Sequence, residues 1–179
     1  MDLAPFTPYM SMPTQQSRLS ITQQIMKTSD DMTDLIIQGL VQIIAMEGPT
    51  LSTRAFTLYA KKGGMSKLSG KAAKRFYAAL KKAVIDGKIK MELDTDEPDT
   101  QALLWLPSME RVVVREYGNR GFDDIPASEL GEVMFELAAE VGENKESVFN
   151  ALGNLYGLSH MPKNALPRLE LVYKAYLEG

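Results

Sequence analysis

Three breaks, Gly48-Pro49, Gly63-Gly64 and Gly87, cut the middle third of the chain into segments that cannot form one long element. Proline removes a helix donor and restricts the residue before it. Glycine accepts the left-handed backbone that commonly ends a helix. Ahead of the first break, Leu35, Ile36, Leu40, Ile43, Ile44 and Ala45 recur at helical spacing and predict a helix over 32–47, capped by Asp30 or Asp31. Ala55, Phe56, Leu58 and Tyr59 predict a second helix over 52–62. Ser69 is placed to cap a third, over 70–86.

Beyond Gly87 the period changes. Ile89-Lys90-Met91-Glu92-Leu93 alternates apolar and charged residues, as a half-buried strand does, and Leu103-Leu104-Trp105-Leu106 can return against it. The intervening DTDEPDTQA reads as a turn, because Pro98 does not suit a central strand, and Pro107 ends the ladder. Trp105 is expected to anchor the second strand to the core. Helix, helix, helix, strand, loop, strand is the order of a winged helix-turn-helix, predicted over 32–109.

The third helix carries the clearest pattern. Ala73, Phe76, Leu80 and Val84 form a narrow apolar stripe at about 100° per residue. Lys71, Arg75, Ala78 and Lys82 fall nearly opposite, with Lys74 and Lys81 beside them. The chain as a whole has a net charge of −3. Residues 51–90 nevertheless hold eleven basic residues against the single acid Asp86, a net +10 that leaves −13 for the remainder. Such a local field can steer an anionic partner despite the overall sign.

The helix-turn-helix order and this charge predict a nonenzymatic nucleic-acid-binding accessory protein that contacts duplex DNA through the third helix. The expected contact residues are Lys71, Lys74, Arg75 and Lys82 on that helix, Lys67 just before it, and Arg54, Lys61 and Lys62 on the preceding helix. Binding should be nonspecific: residues 70–86 contain no Asn or Gln for bidentate adenine contacts. The predicted wing argues against a second grip on DNA, since Glu92, Asp94, Asp96, Glu97 and Asp99 lie on 91–109 without a basic residue. A protein-interaction or oligomerisation module on the same scaffold is the alternative reading, and fold alone does not separate the two.

The flanks differ in character. Residues 1–31 are read as a flexible arm, with a short helix over 20–30. Residues 110–179 are read as a helical subdomain packed on or beside the winged helix. It comprises a short strand at Val112-Val113-Val114-Arg115, a turn-rich GNRGFDDI, and helices over 126–141, 145–156 and 164–177. Asp123 and Asp124 are placed to favour the start of the first of these helices. The fold class expected is therefore mainly α with a small β wing: a winged helix-turn-helix followed by a small helical bundle.

Other functions find little support. Cysteine is absent, which excludes disulfides, thiolate nucleophiles and cysteine-ligated metals. Asp94, Asp96 and Asp99 are oxygen donors, but their spacing is not that of an EF-hand loop. His160 is the single histidine, and no G-x-S-x-G or phosphate-loop pattern accompanies it. Neither catalysis, a cofactor nor a metal is expected. The first twenty residues lack the basic and apolar regions of a signal peptide. The apolar run LIIQGLVQIIAM is too short to span a bilayer, so a cytoplasmic protein with no membrane role is expected.

Short pieces along the chain also fall in a recognisable order. They are Glu47-Gly48-Pro49-Thr50, Gly63-Gly64, Ala83, Gly87-Lys88-Ile89, the strand with Trp105, Val114-Arg115, Arg120, Ile125-Pro126, Glu129-Leu130 and Leu155-Tyr156-Gly157-Leu158. Over about residues 33–160 this order resembles an uncharacterised winged-helix-like C-terminal domain of large bacterial helicase- and nuclease-associated proteins. The resemblance implies an intracellular accessory domain linked to nucleic-acid transactions. It also implies a helicase- or nuclease-associated protein partner, or a homodimer. The chain is expected to stand almost alone, without a helicase or nuclease domain, so the activity of such neighbours does not carry over.

Overall fold

The computed structural model describes residues 1–10, 30–97 and 100–178, without the side chains of Asp30 and Asp31. The helix expected over 20–30 and the capping role of Asp30 or Asp31 fall outside that set. The described chain is mainly helical with one small antiparallel sheet. It divides into two compact units, one of residues 7–111 and one of residues 1–6 with 112–179.

The first unit runs α1 (Asp30–Glu47), β1 (Thr50–Leu51), α2 (Ser52–Lys62), α3 (Gly70–Ile85), β2 (Lys90–Leu93) and β3 (Ala102–Trp105). The strands form a sheet in the order β1-β3-β2, both pairs antiparallel. Strand β1 escapes the sequence reading. Its two residues acquire a partner only when Thr50 meets Leu104 and Leu51 meets Leu103. At the β2–β3 end, the Asp94 amide donates to the Gln101 carbonyl at 2.9 Å, and the Thr95 and Thr100 hydroxyls meet at 2.9 Å.

The core of this unit is built where α1, α2 and α3 meet the sheet. Ile36, Leu40, Ile43 and Ile44 of α1 are fully buried, as the spacing predicts, whereas Leu35 and Ala45 face outward. Phe76 sits edge-on between Phe56 and Tyr59, with ring centroids 5.8 and 5.2 Å away. Close approach of α1 to Tyr59 requires a glycine at 39: a Cβ there would lie 2.0 Å from the ring. Trp105 does not anchor the core. Strand alternation gives that place to Ala102 and Leu104, which leaves Trp105 on the opposite face and half-buried.

The second unit holds a 3-10 turn at Phe122–Asp124, α4 (Ala127–Val141), α5 (Lys145–Leu155), a second 3-10 turn at Lys163–Ala165 and α6 (Leu166–Leu177). Leu130, Val133, Met134 and Leu137 of α4 pack with Val148, Phe149 and Leu152 of α5 and with Leu169, Val172 and Tyr173 of α6. The strand expected at 112–115 is replaced by a single parallel bridge between Arg115 and Ala4. Nor are the first residues a loose arm throughout: Phe6 is buried, and Leu3 packs against this core. The Asp124 carboxylate accepts the Gly121 amide at 3.1 Å, closing the 3-10 turn just ahead of α4.

Candidate nucleic-acid interface

The local sequence frames α3 cleanly. Ser69 Oγ accepts the Ala72 amide at 3.2 Å, satisfying one of the first-turn donors. Gly87 follows the helix at φ +70°, where a side chain would be strained. Between these ends, the buried residues are Ala72, Phe76, Ala79, Leu80 and Ala83. The stripe read from the sequence runs through Ala73, Phe76, Leu80 and Val84, but Ala73 and Val84 are only half-buried. At 100° per residue the true buried face is turned by about 60° toward the alanines. Small side chains there let α3 approach its neighbours, an advantage invisible to a reading that weights only bulk.

That rotation redistributes the cations. The exposed ridge of α3 consists of Lys71, Lys74, Tyr77, Ala78, Lys81 and Ile85. Arg75 and Lys82, expected at its centre, sit at its border and reach toward the start of α1. Arg75 Nη2 donates to Thr33 Oγ1 at 3.0 Å. Lys82 Nζ donates to Asp86 Oδ2 at 2.9 Å and to Asp34 Oδ1 at 3.4 Å. The hydrogen bond between Lys82 and Asp86 raises the lysine above its usual pKa and lowers the carboxyl below its own.

The residues around α3 separate further. Lys61 and Lys67 are exposed. Lys62 is half-buried, donating to Gln42 Oε1 at 3.1 Å with its ammonium 5.7 Å from the Tyr9 ring centroid. Arg54 departs from its expected role as a phosphate contact. Its side chain is buried and bonded twice to Glu47, Nε to Oε2 at 2.6 Å and Nη2 to Oε1 at 2.9 Å. Glu47 Oε1 also accepts the Tyr9 amide at 3.0 Å. The helical position of Arg54 falls on the inner side of α2, among Ala55, Phe56 and Tyr59, so it serves the interior.

Lys81 is absent from the expected contacts, yet it lies on the exposed ridge with its ammonium 5.0 Å from the Tyr77 centroid. The signal was present: Lys74 and Lys81 are two turns apart and share a face. The acidic hairpin follows α3 in sequence. Glu92 is held by Arg111, whose Nε reaches Oε1 at 2.5 Å, while Asp96 and Glu97 are exposed.

The second unit contains a different cluster, which sequence reasoning did not single out as a site. Glu129 is buried and shared by two buried arginines. Its Oε2 meets Arg115 Nη2 at 2.5 Å and Arg120 Nη1 at 2.9 Å. Its Oε1 accepts Arg120 Nη2 at 2.9 Å and the Arg115 amide at 3.1 Å. Burial pushes the nearby Tyr156 hydroxyl well above the ordinary tyrosine range, with the Glu129 charge adding to the effect. His160 is exposed, 3.0 Å from Ser159 Oγ through Nδ1. Among the described residues there is no cluster of three or more His, Asp or Glu able to hold a metal. Among them, too, no helix is long and apolar enough to cross a membrane.

What the geometry defines is a mainly helical protein with a small sheet and an outward lysine ridge on one helix. No protein-family model, curated protein or solved structure matches the chain.

Proposed function

We propose that residues 32–109 form a winged helix-turn-helix module that binds duplex DNA without sequence preference, led by α3. The observation that carries this reading is the exposure of Lys71, Lys74 and Lys81 along one ridge of α3, with Lys61 and Lys67 also exposed. From Leu51 to Ile85 the sequence contains no acidic residue. Lysines on flexible stems suit phosphates, and neutralising phosphates releases counterions whatever the base sequence. Arg54 takes no part, and Arg75 and Lys82 contribute from the edge while held by Thr33, Asp34 and Asp86. The acidic tip beyond β2 points to contact by the helix alone. The resemblance to helicase- and nuclease-associated domains supports an accessory rather than a catalytic role.

A second reading has its own support. Ile85 is 85% exposed and Tyr77 41% exposed on the same ridge. Apolar side chains between lysines also suit a protein partner, including a helicase- or nuclease-associated protein or a second copy.

Titration of a random-sequence duplex with the full chain, repeated across salt concentrations, tests the first reading. Affinity should fall linearly on logarithmic axes as salt rises. Replacing Lys71, Lys74 and Lys81 by glutamine should reduce that slope by about 3 and weaken low-salt binding at least about tenfold. Parent-like binding by the folded triple variant would remove α3 as the interface. Absence of duplex binding at low salt, with a complex or dimer lost on Tyr77→Ser and Ile85→Ser replacement, would establish the second reading instead.

A further inference from the structure

The first six residues occupy the second unit as an extended peptide occupies a groove. Their main chain is read at alternate positions. The Ala4 amide donates to the Val114 carbonyl at 3.0 Å, and the Ala4 carbonyl accepts the Glu116 amide at 2.9 Å, forming the parallel bridge to Arg115. Two residues on, the Phe6 amide donates to Glu116 Oε2 at 3.4 Å. Pro5 falls between them, at a position where this alternation asks for no donor, so its missing N–H costs nothing.

Side chains add selectivity. The Phe6 ring is 8% exposed and lies across both arginines of the buried cluster, 4.5 Å from the Arg120 guanidinium and 5.8 Å from that of Arg115. One carboxylate, Glu129, serves those two guanidinium groups, and an aromatic face offers favourable negative quadrupole density to such cations. Gly118 forms the floor at φ +60°, where a Cβ would lie 2.3 Å from the Phe6 ring. The groove thus specifies an extended strand with a donor and acceptor at one residue, a tolerated proline next, and an aromatic ring after it.

We infer that this groove is an exchangeable strand-docking site whose partner is the N-terminal segment of a second copy of this chain. The strand that fits it best on every count is residues 1–6 themselves. Exchange re-forms the same hydrogen bonds and cation–ring contacts between molecules, so it needs no new surface, the usual reason segment swapping is a low-cost route to a dimer.

Two complementary variants of the full chain test this. One lacks residues 2–6 and keeps an open groove. The other carries Gly118→Val, which retains the segment but obstructs the seat of Phe6. Each alone should elute as a monomer; mixed in equal amounts they should form a 1:1 heterodimer by light scattering. Adding Phe6→Ala to the Gly118→Val variant should weaken that heterodimer at least tenfold. Should the shortened variant prove unfolded alone, recovery of cooperative unfolding on mixing supports exchange, and failure to recover overturns it. A mixture of folded variants that stays monomeric also overturns it. Capture of a synthetic peptide of residues 1–10 by the shortened variant, without heterodimer formation, would overturn a second copy as the partner.

Discussion

The two units handle positive charge in opposite ways. In residues 7–111 the lysines of α3 stand outward on a ridge, backed by an alanine-rich buried face. In the second unit Arg115 and Arg120 lie inside, bonded to one glutamate and covered by Phe6. Arg54 shows that the division is not one of unit but of burial, since its pair with Glu47 is interior as well. A cation on a long stem can serve solvent, phosphate or core. What decides is whether its helix position faces outward and whether a buried carboxylate waits opposite. Removing an exposed lysine then leaves folding little changed, whereas removing one member of an interior pair costs stability, because an unmatched buried charge is costly.

Glu129→Gln should have the largest effect. It leaves two buried guanidinium groups without their carboxylate and should lower stability by about 3–5 kcal/mol in urea unfolding. A loss confined to probes of the second unit would sharpen the contrast; no loss would break it. Next, Arg54→Ala should cost about 3 kcal/mol by stranding Glu47, while leaving duplex binding of the folded fraction intact. Lys74→Ala should do the reverse, weakening binding without measurable destabilisation.

A pair of glycines probes how firmly each unit is packed. Gly39→Ala would drive a methyl into Tyr59, which is 3% exposed and wedged against Phe76, at a cost of about 1–3 kcal/mol. Gly131→Ala meets Tyr176 Cδ1 at 2.4 Å and its Cγ at 2.5 Å, but that residue is 41% exposed, so solvent rather than packed core borders the ring that must shift. The helical gain of alanine over glycine, about 1 kcal/mol, should then leave the second variant near neutral. Thermal unfolding of both would settle the order, and equal losses would show that the Tyr176 ring is held as firmly as Tyr59.

The smallest effect is expected at Asp86→Asn. The folded-state carboxyl titrates below its ordinary value of 3.8, chiefly through the Lys82 hydrogen bond. Its contribution is therefore fully present above that value and fades as pH falls through 3.8 and then through the lowered folded value. Asp86→Asn should flatten this part of the acid-side stability curve, leaving stability near neutral pH little changed because the pair is exposed. A steeper acid slope in the variant would contradict the pairing.

Much of this was legible in the residues. Gly48-Pro49, Gly63-Gly64, Ser69 and Gly87 punctuate the chain by local chemistry, and α2 runs over Ser52–Lys62 as their spacing predicts. The apolar period of α1, and those of α4, α5 and α6, marked helices within a residue or two of their ends. The excess of lysine around α3 was equally plain, since charge is a property of composition.

Other features exist only through partners distant in sequence. Strand β1 is two residues long and is a strand because Leu103 and Leu104 lie beside it. Arg54 reads as a surface cation until Glu47 meets it, and Arg115 and Arg120 gain their meaning from Glu129. The buried face of α3 turned toward its alanines because closeness to α1 and α2, not side-chain size alone, set the packing. Periodicity and breakers act within a few residues, so the sequence by itself determined the helices, their ends and the local charge. Burial and ion pairing depend on which elements meet in space. Only the tertiary structure could therefore decide which lysines stand outward, which arginines are interior, and that the first six residues lie in a groove.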